Sequence, residues 1–327
     1  MRRPPRAHAV TSRRSPLPAI GAVLVLAALL ALVALRASSA AAAPLEVGVY
    51  QDDPVKGVPA LTRSSGKKAT RVISTYVTGG RTVDPKIVAL AARTKARLMV
   101  TWMPDSGRDG ANQKRYRLAS VRRGAQDAGL RKLARQLGRL RPAPILRPMP
   151  EPNAPWYAWS GFVNSNTPAD YVAAWNRVRR VVKKSGGRRV QMLWAPYVRS
   201  IPDVPENAFA AYFPGASQVD LVGTSGYNFG TTGGLAWTDP EPLFEDAYRQ
   251  VSALAPKPFW IAETGSTATG GSKAKWIGSL ASLRGAIPTL AGVVWFDVRD
   301  RNGDFRVSGS KAMRSAFKAF TGRARAK

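Results

Sequence analysis

The chain has 327 residues and a formal charge of +30, with no cysteine and one histidine, His8. Without cysteine there is no disulfide, no thiolate metal site and no thiol nucleophile. With His8 confined to the extreme N-terminus, the body of the chain has no Ser-His-Asp triad and no histidine-ligated metal, so acid/base chemistry falls to its carboxylates.

Arg2, Arg3, Arg6, Arg13 and Arg14 precede an apolar run over 19–35, followed by Arg36 and small residues over 37–43. This order predicts a secretory signal over 1–43, the alternative being an uncleaved signal anchor, the one case in which a membrane is a partner. In either case the body faces outside the cell. Ser12-Arg13-Arg14 is compatible with a twin-arginine signal. Removing six arginines and no acids lowers the charge from +30 to +24 over 44–327. Such a charge attracts anionic partners, for example an anionic cell-wall polymer. The basic residues are spread along the chain and not interleaved with aromatics, so no specific nucleic-acid binding is expected.

From residue 44 onward short apolar runs alternate with helical stretches. Strands are predicted over 45–50, 71–77, 97–102, 144–149, 190–194, 219–224, 259–262 and 292–296. Helices are predicted over 84–94, 125–140, 168–184, 241–254, 272–283 and 311–320, with Thr167 and Asp239 as N-caps before Pro168 and Pro240. Continuous apolar strands alternating with helices imply a parallel sheet. Eight such units predict an α/β chain folded as a single (β/α)8 TIM barrel over 44–327, a monomer.

Two glutamates follow apolar strands. Glu151 lies in Leu146-Arg147-Pro148-Met149-Pro150-Glu151-Pro152-Asn153, and Glu263 in Ile261-Ala262-Glu263-Thr264-Gly265. Carboxylates at the C-terminal ends of the fourth and seventh strands face across the mouth of a barrel. Two such groups are what glycosidic cleavage uses, and their separation decides between retention and inversion.

The motif Arg147-Pro148-Met149-Pro150-Glu151-Pro152-Asn153-Ala154-Pro155-Trp156, continuing to Trp159, resembles the acid/base motif of glycoside hydrolase family 26, the β-mannanase family. Ile261-Ala262-Glu263 resembles its nucleophile strand, and Gly223-Thr224-Ser225-Gly226-Tyr227-Asn228 resembles the sixth strand of its clan, where a tyrosine bonds the nucleophile. The resemblance implies a retaining endo-glycosidase of β-linked, mannan-like polysaccharide without a cofactor. Glu151 would be its acid/base, Glu263 its nucleophile, and Arg147, Asn153, Trp156, Trp159, Tyr227 and Asn228 substrate-binding residues. Pro150 departs from the pattern, because the family has histidine there, a sugar-binding side chain. Asn153 and Asn228 are candidates to replace it. Trp102, Trp194 and Trp295 at strand ends are further candidate sugar platforms. Asp52 and Asp53, after the first strand, are candidate hydroxyl ligands, and 300–304 reads as a turn. The alternative reading is a non-catalytic carbohydrate- or cell-wall-binding barrel.

Overall fold

The computed structural model describes residues 44–65, 70–107 and 110–324. The expected signal over 1–43 lies outside the described residues. Eight parallel strands close into a barrel in sequence order: β1 (Glu46–Tyr50), β2 (Val72–Thr78), β3 (Arg97–Met103), β4 (Ile145–Pro148), β5 (Gln191–Trp194), β6 (Leu221–Asn228), β7 (Phe259–Ser266) and β8 (Leu290–Phe296). β8 pairs with β1 through Glu46↔Gly292 to Tyr50↔Phe296. The predicted (β/α)8 architecture is therefore present.

The helices are α1 (Pro54–Ser65), α2 (Pro85–Thr94), α3 (Leu118–Arg122), α4 (Asp127–Gly138), α5 (Pro168–Lys184), α6 (Pro240–Leu254), α7 (Lys273–Ser279) and α8 (Lys311–Arg323). Thr167 caps α5 in a reciprocal capping box with Asp170. Asp239 occupies the N-cap of α6 but makes no capping bond; its carboxylate accepts from Trp237 Nε1 at 3.0 Å instead. The connection after β5 carries 3₁₀ turns at Pro205–Asn207 and Phe209–Tyr212 in place of an α-helix. Strands β6 and β7 each extend four residues past their predicted ends, because polar residues there face the barrel mouth and break the apolar signal.

Side-chain parity splits the buried apolar residues into two clusters. Val72, Met99, Ile145, Leu193, Leu221, Trp260, Ala262 and Val294 fill the barrel interior. Their strand neighbours Ile73, Leu98, Val100, Leu146, Met192, Val222, Ile261 and Val293 point outward beneath the helices. This alternation, apolar on both faces, is why the strands read as continuous hydrophobic runs. Trp260 is the largest interior side chain and needs space. A Cβ on Gly292 would lie 2.3 Å from its ring, and one on Gly223 would lie 2.1 Å from its carbonyl oxygen. The two glycines are thus fixed by close packing.

Gly223→Ala should accordingly destabilise the barrel by about 1–3 kcal/mol through overpacking against rigid backbone. A urea titration should show a lower midpoint at unchanged slope; a midpoint equal to the parent's would refute the packing argument.

Candidate active site

Barrel strands deliver their C-terminal ends to one mouth, and parity decides which side chains enter it. On β4, Ile145 points inward, so Arg147 does as well. Arg147 is fully buried. Its Nη2 donates to Glu263 Oε2 at 3.0 Å, and its Nη1 donates to the Ala262 carbonyl at 3.2 Å. On β7, simple alternation from inward Trp260 would send Glu263 outward. The β6–β7 register shows otherwise: Ile261 pairs with Thr224, and Glu263 with the next residue, Ser225. Ala262 is thus an inserted bulge residue, and it turns Glu263 into the barrel.

Glu263 is 4% exposed. Besides Arg147 it accepts from the hydroxyls of Tyr76 on β2 and Tyr227 on β6. Three donors, one of them a cation, thus converge on this carboxylate. Burial pushes both phenols well above their ordinary value, and the charge of Glu263 adds to it, so both remain donors. Burial alone would push the Arg147 guanidinium down, but Glu263, Tyr76 and Glu151 outweigh it and hold it charged.

Glu151 is held differently. Met149 and Glu151 both adopt left-handed backbone, with φ of 48° and 54°, on either side of Pro150. Such a conformation costs about 1–3 kcal/mol per non-glycine residue and persists only when its surroundings enforce it. Here they do. Met149 N–H donates to the Trp102 carbonyl at 2.9 Å and Glu151 N–H to the Ala195 carbonyl at 3.0 Å. The Met149 carbonyl accepts from Tyr171 Oη at 3.0 Å and the Pro150 carbonyl from Trp159 Nε1 at 2.8 Å. The kink holds Glu151 in the interior, 4% exposed, with Trp156 Nε1 donating to Oε2 at 2.7 Å. Burial, then the charge of Glu263, push its carboxyl up to about 7, against the opposing pull of Arg147. One carboxylate is saturated with donors and the other is held near the neutral range, the division of labour that acid/base pairs require.

Arg147, Trp156 and Tyr227 are the predicted binding residues that touch these carboxylates. The others lie in different surroundings. Trp102, Trp159, Trp194 and Trp295 have no exposed face. Trp102, Trp194 and Trp295 sit at outward parity beneath the helices, and the indole nitrogens of Trp102 and Trp295 bond the carbonyls of Gly79 and Phe305 at 3.0 and 2.9 Å. They brace loops and offer no face to a sugar. Asn153 is buried and spends its amide on Tyr197, donating to its carbonyl at 3.0 Å and accepting from its N–H at 2.8 Å. Asn228 is buried against Ser266, Gly230 and Thr238. Neither asparagine is free to replace the side chain absent at Pro150. Asp53 caps α1 from outside the mouth, accepting from Lys56 N–H at 3.2 Å, and Asp52 is exposed. The 300–304 turn is a two-stranded hairpin.

The half-exposed aromatics of the mouth lie at inward parity instead. Tyr50 stacks on Phe296 with centroids 5.2 Å apart, and its edge meets Tyr76 at 4.7 Å. Tyr227 meets Phe296 edge-on at 5.8 Å, and Trp156 meets Tyr197 at 4.9 Å. Tyr50, Tyr76 and Phe296 escaped sequence reasoning. The signal was available, since each of the three strand residues lies an even number of positions from an inward residue of its own strand.

Replacing Glu263 by Gln removes the negative charge that helps hold Glu151 up, while burial remains. Glu151 in Glu263→Gln should therefore titrate below about 7 yet above an ordinary carboxylate. Carbon-detected NMR titration checks this, and an unmoved midpoint would mean that the two carboxylates are not coupled.

No protein-family model matches the chain. Endoglucanase H of Acetivibrio thermocellus is 27% identical over 230 residues, which are 69% of this chain and 24% of that protein. The chain thus spans about a quarter of that relative's length. Among solved structures, the catalytic domain of the family-26 endo-β-1,4-mannanase of Bacillus sp. JAMB-750 matches over 87% of both chains with a TM-score of 0.67 and 13% identity. The family-26 β-mannanase of Bacteroides ovatus matches over 85% of this chain and 88% of its own, with a TM-score of 0.60 and 16% identity. At such identities the likeness is one of fold: this chain is similar to the family-26 mannanases in its (β/α)8 barrel.

Proposed function

We propose that the chain is a retaining endo-glycosidase of a β-linked, mannan-like polysaccharide, exported from the cell and acting as a monomer without a cofactor. The observation that carries this reading is the split environment of the two carboxyls: Glu263 accepts from two phenols and a guanidinium, while Glu151 is pushed up to about 7. The barrel shared with the mannanases and the similarity to an endoglucanase support the reaction class.

In this reading Glu263 attacks the anomeric carbon while Glu151 gives its proton to the departing glycosidic oxygen. Tyr76, Tyr227 and Arg147 hold Glu263 in place and aim it. Glu151, now deprotonated, takes a proton from water; the hydroxide formed displaces Glu263 from the glycosyl-enzyme, and both carboxyls return to their starting states. Tyr50, Phe296 and Trp156 supply half-exposed rings on which sugars stack. With proline at 150 and Asn153 and Asn228 engaged elsewhere, the sugar hydroxyl that a histidine would bind has no equivalent partner from these three residues. This favours a glycan other than plain mannan. The same feature favours the second reading, a barrel that binds wall glycan without cleaving it.

A reducing-sugar assay against mannans, β-1,3- and β-1,4-glucans, xylans and bacterial wall glycans separates the two readings. Release by the parent, with a loss of about 10³-fold or more in Glu263→Ala, is expected. Binding without release, equal in parent and variant, would overturn the enzymatic reading.

The acid must be protonated to act, so activity should follow the protonated fraction of Glu151. With its carboxyl near 7, kcat/KM should fall as pH rises through that value. In Glu151→Gln this alkaline limb should vanish along with most of the rate on poor leaving groups. A limb that persists unchanged would assign it to another group.

A further inference from the structure

At the N-terminal end of the barrel, opposite the carboxylates, the strand starts frame an open depression of about 720 Å³. Four cations line it: Arg71 just before β2, Lys95 at the C-cap of α2, Arg97 at the start of β3, and Arg189 before β5. One carboxylate accompanies them. Glu46 accepts from Arg97 Nη1 at 2.7 Å, while Arg97 Nε donates to the Ala143 carbonyl at 2.7 Å. Arg97, 11% exposed in its side chain, lies over the Trp260 ring and forms a fixed floor. Glu46 therefore answers Arg97 alone. Arg71, Lys95 and Arg189 are exposed and make no ion pair among the described residues.

Lys95 also holds left-handed backbone, with φ of 54°, at a helix end where glycine is the favoured residue. Three unanswered cations brought to one depression by separate segments repel one another, and a bridging anion relieves that repulsion. Arginine forks match phosphate and carboxylate oxygens. No aromatic ring is exposed in the lining, since Trp260 is 1% exposed, so nucleic-acid bases find nothing to stack on.

We infer that the N-terminal end of the barrel is a binding site for a flexible polymer carrying repeated phosphate or carboxylate groups, separate from the carboxylate mouth. A polymer held there leaves the opposite mouth open. The inference stands whether or not the mouth cleaves a glycan.

Calorimetric binding to the full chain tests it, with poly(glycerol phosphate), polygalacturonate and a single-stranded oligonucleotide as probes. The variant Arg71→Gln/Lys95→Gln/Arg189→Gln is compared with Lys86→Gln/Lys132→Gln/Lys318→Gln, which removes the same charge from exposed sites on α2, α4 and α8. At about 50 mM salt, affinity for at least one of the two polymers should fall about tenfold or more in the first variant and less than about twofold in the second. The polymer that responds identifies phosphate or uronate as the ligand group. Equal losses in the two variants would reduce the effect to net charge. Failure of the parent to bind either polymer, or tighter binding of the oligonucleotide than of both, would overturn the inference. Arg189→Gln alone should lose part of the affinity, a check should the triple variant not fold.

Discussion

Arg147 is enclosed inside the barrel and stays charged, so the interior must answer it. Glu263 does, with Nη2 and Oε2 3.0 Å apart and both groups out of water. A buried pair of this kind contributes little net stability, because desolvation offsets the attraction. Removing one partner is a different matter and costs about 3–5 kcal/mol, since the survivor is left unpaired. The pair therefore constrains the structure more than it stabilises it. Once Arg147 points inward, Glu263 has to meet it, and the phenols of Tyr76 and Tyr227 complete the carboxylate's coordination from two further strands.

Regular strands would not satisfy that constraint. Trp260 and Glu263 are three residues apart and yet both face the interior, which requires the bulge at Ala262. Glu151 reaches the same space through two left-handed residues around Pro150. Four hydrogen bonds to the 149–151 segment keep this kink in place, from elements as distant as α5 and the end of β5. Both irregularities are local costs met by tertiary contacts, and both lie where the carboxylates are positioned. This is also why Trp159 and Tyr171 matter: they bond the carbonyls of the kink, and neither has an exposed face for a sugar.

The barrel and its two glutamates were legible in the sequence because both are statements about position along strands. Apolar runs mark the strands, and a carboxylate just past such a run lies near the mouth. The aromatic lining was not legible by the same rule. Trp102, Trp194 and Trp295 stand at the right height and the wrong parity, one residue after the inward Thr101, Leu193 and Val294. Tyr50, Tyr76 and Phe296 stand at the right parity, but tyrosine and phenylalanine in a strand are ordinary β-formers and raise no alarm. The two asparagines failed for another reason. An amide that closes loop backbone and one that reads a hydroxyl look alike until its partners are known. Asn153, bridging the loops after β4 and β5, closes backbone.

The interior is layered along its axis. Glu46 and Arg97 form an ion pair at the N-terminal end, and Arg147 and Glu263 form one toward the mouth. Between them lie Val72, Met99, Ile145, Leu193, Trp260 and Val294, closely packed and with no titratable group. Charge at one end is thus satisfied at that end, by its own partner or by solvent. The raised carboxyl of Glu151 answers to this separation. Its causes are burial and then Glu263, opposed by Arg147 and by the donors Trp156 and Ser225 beside it. The fold thus carries a cationic surface at one end and a proton donor near neutrality at the other, each with its own local partners.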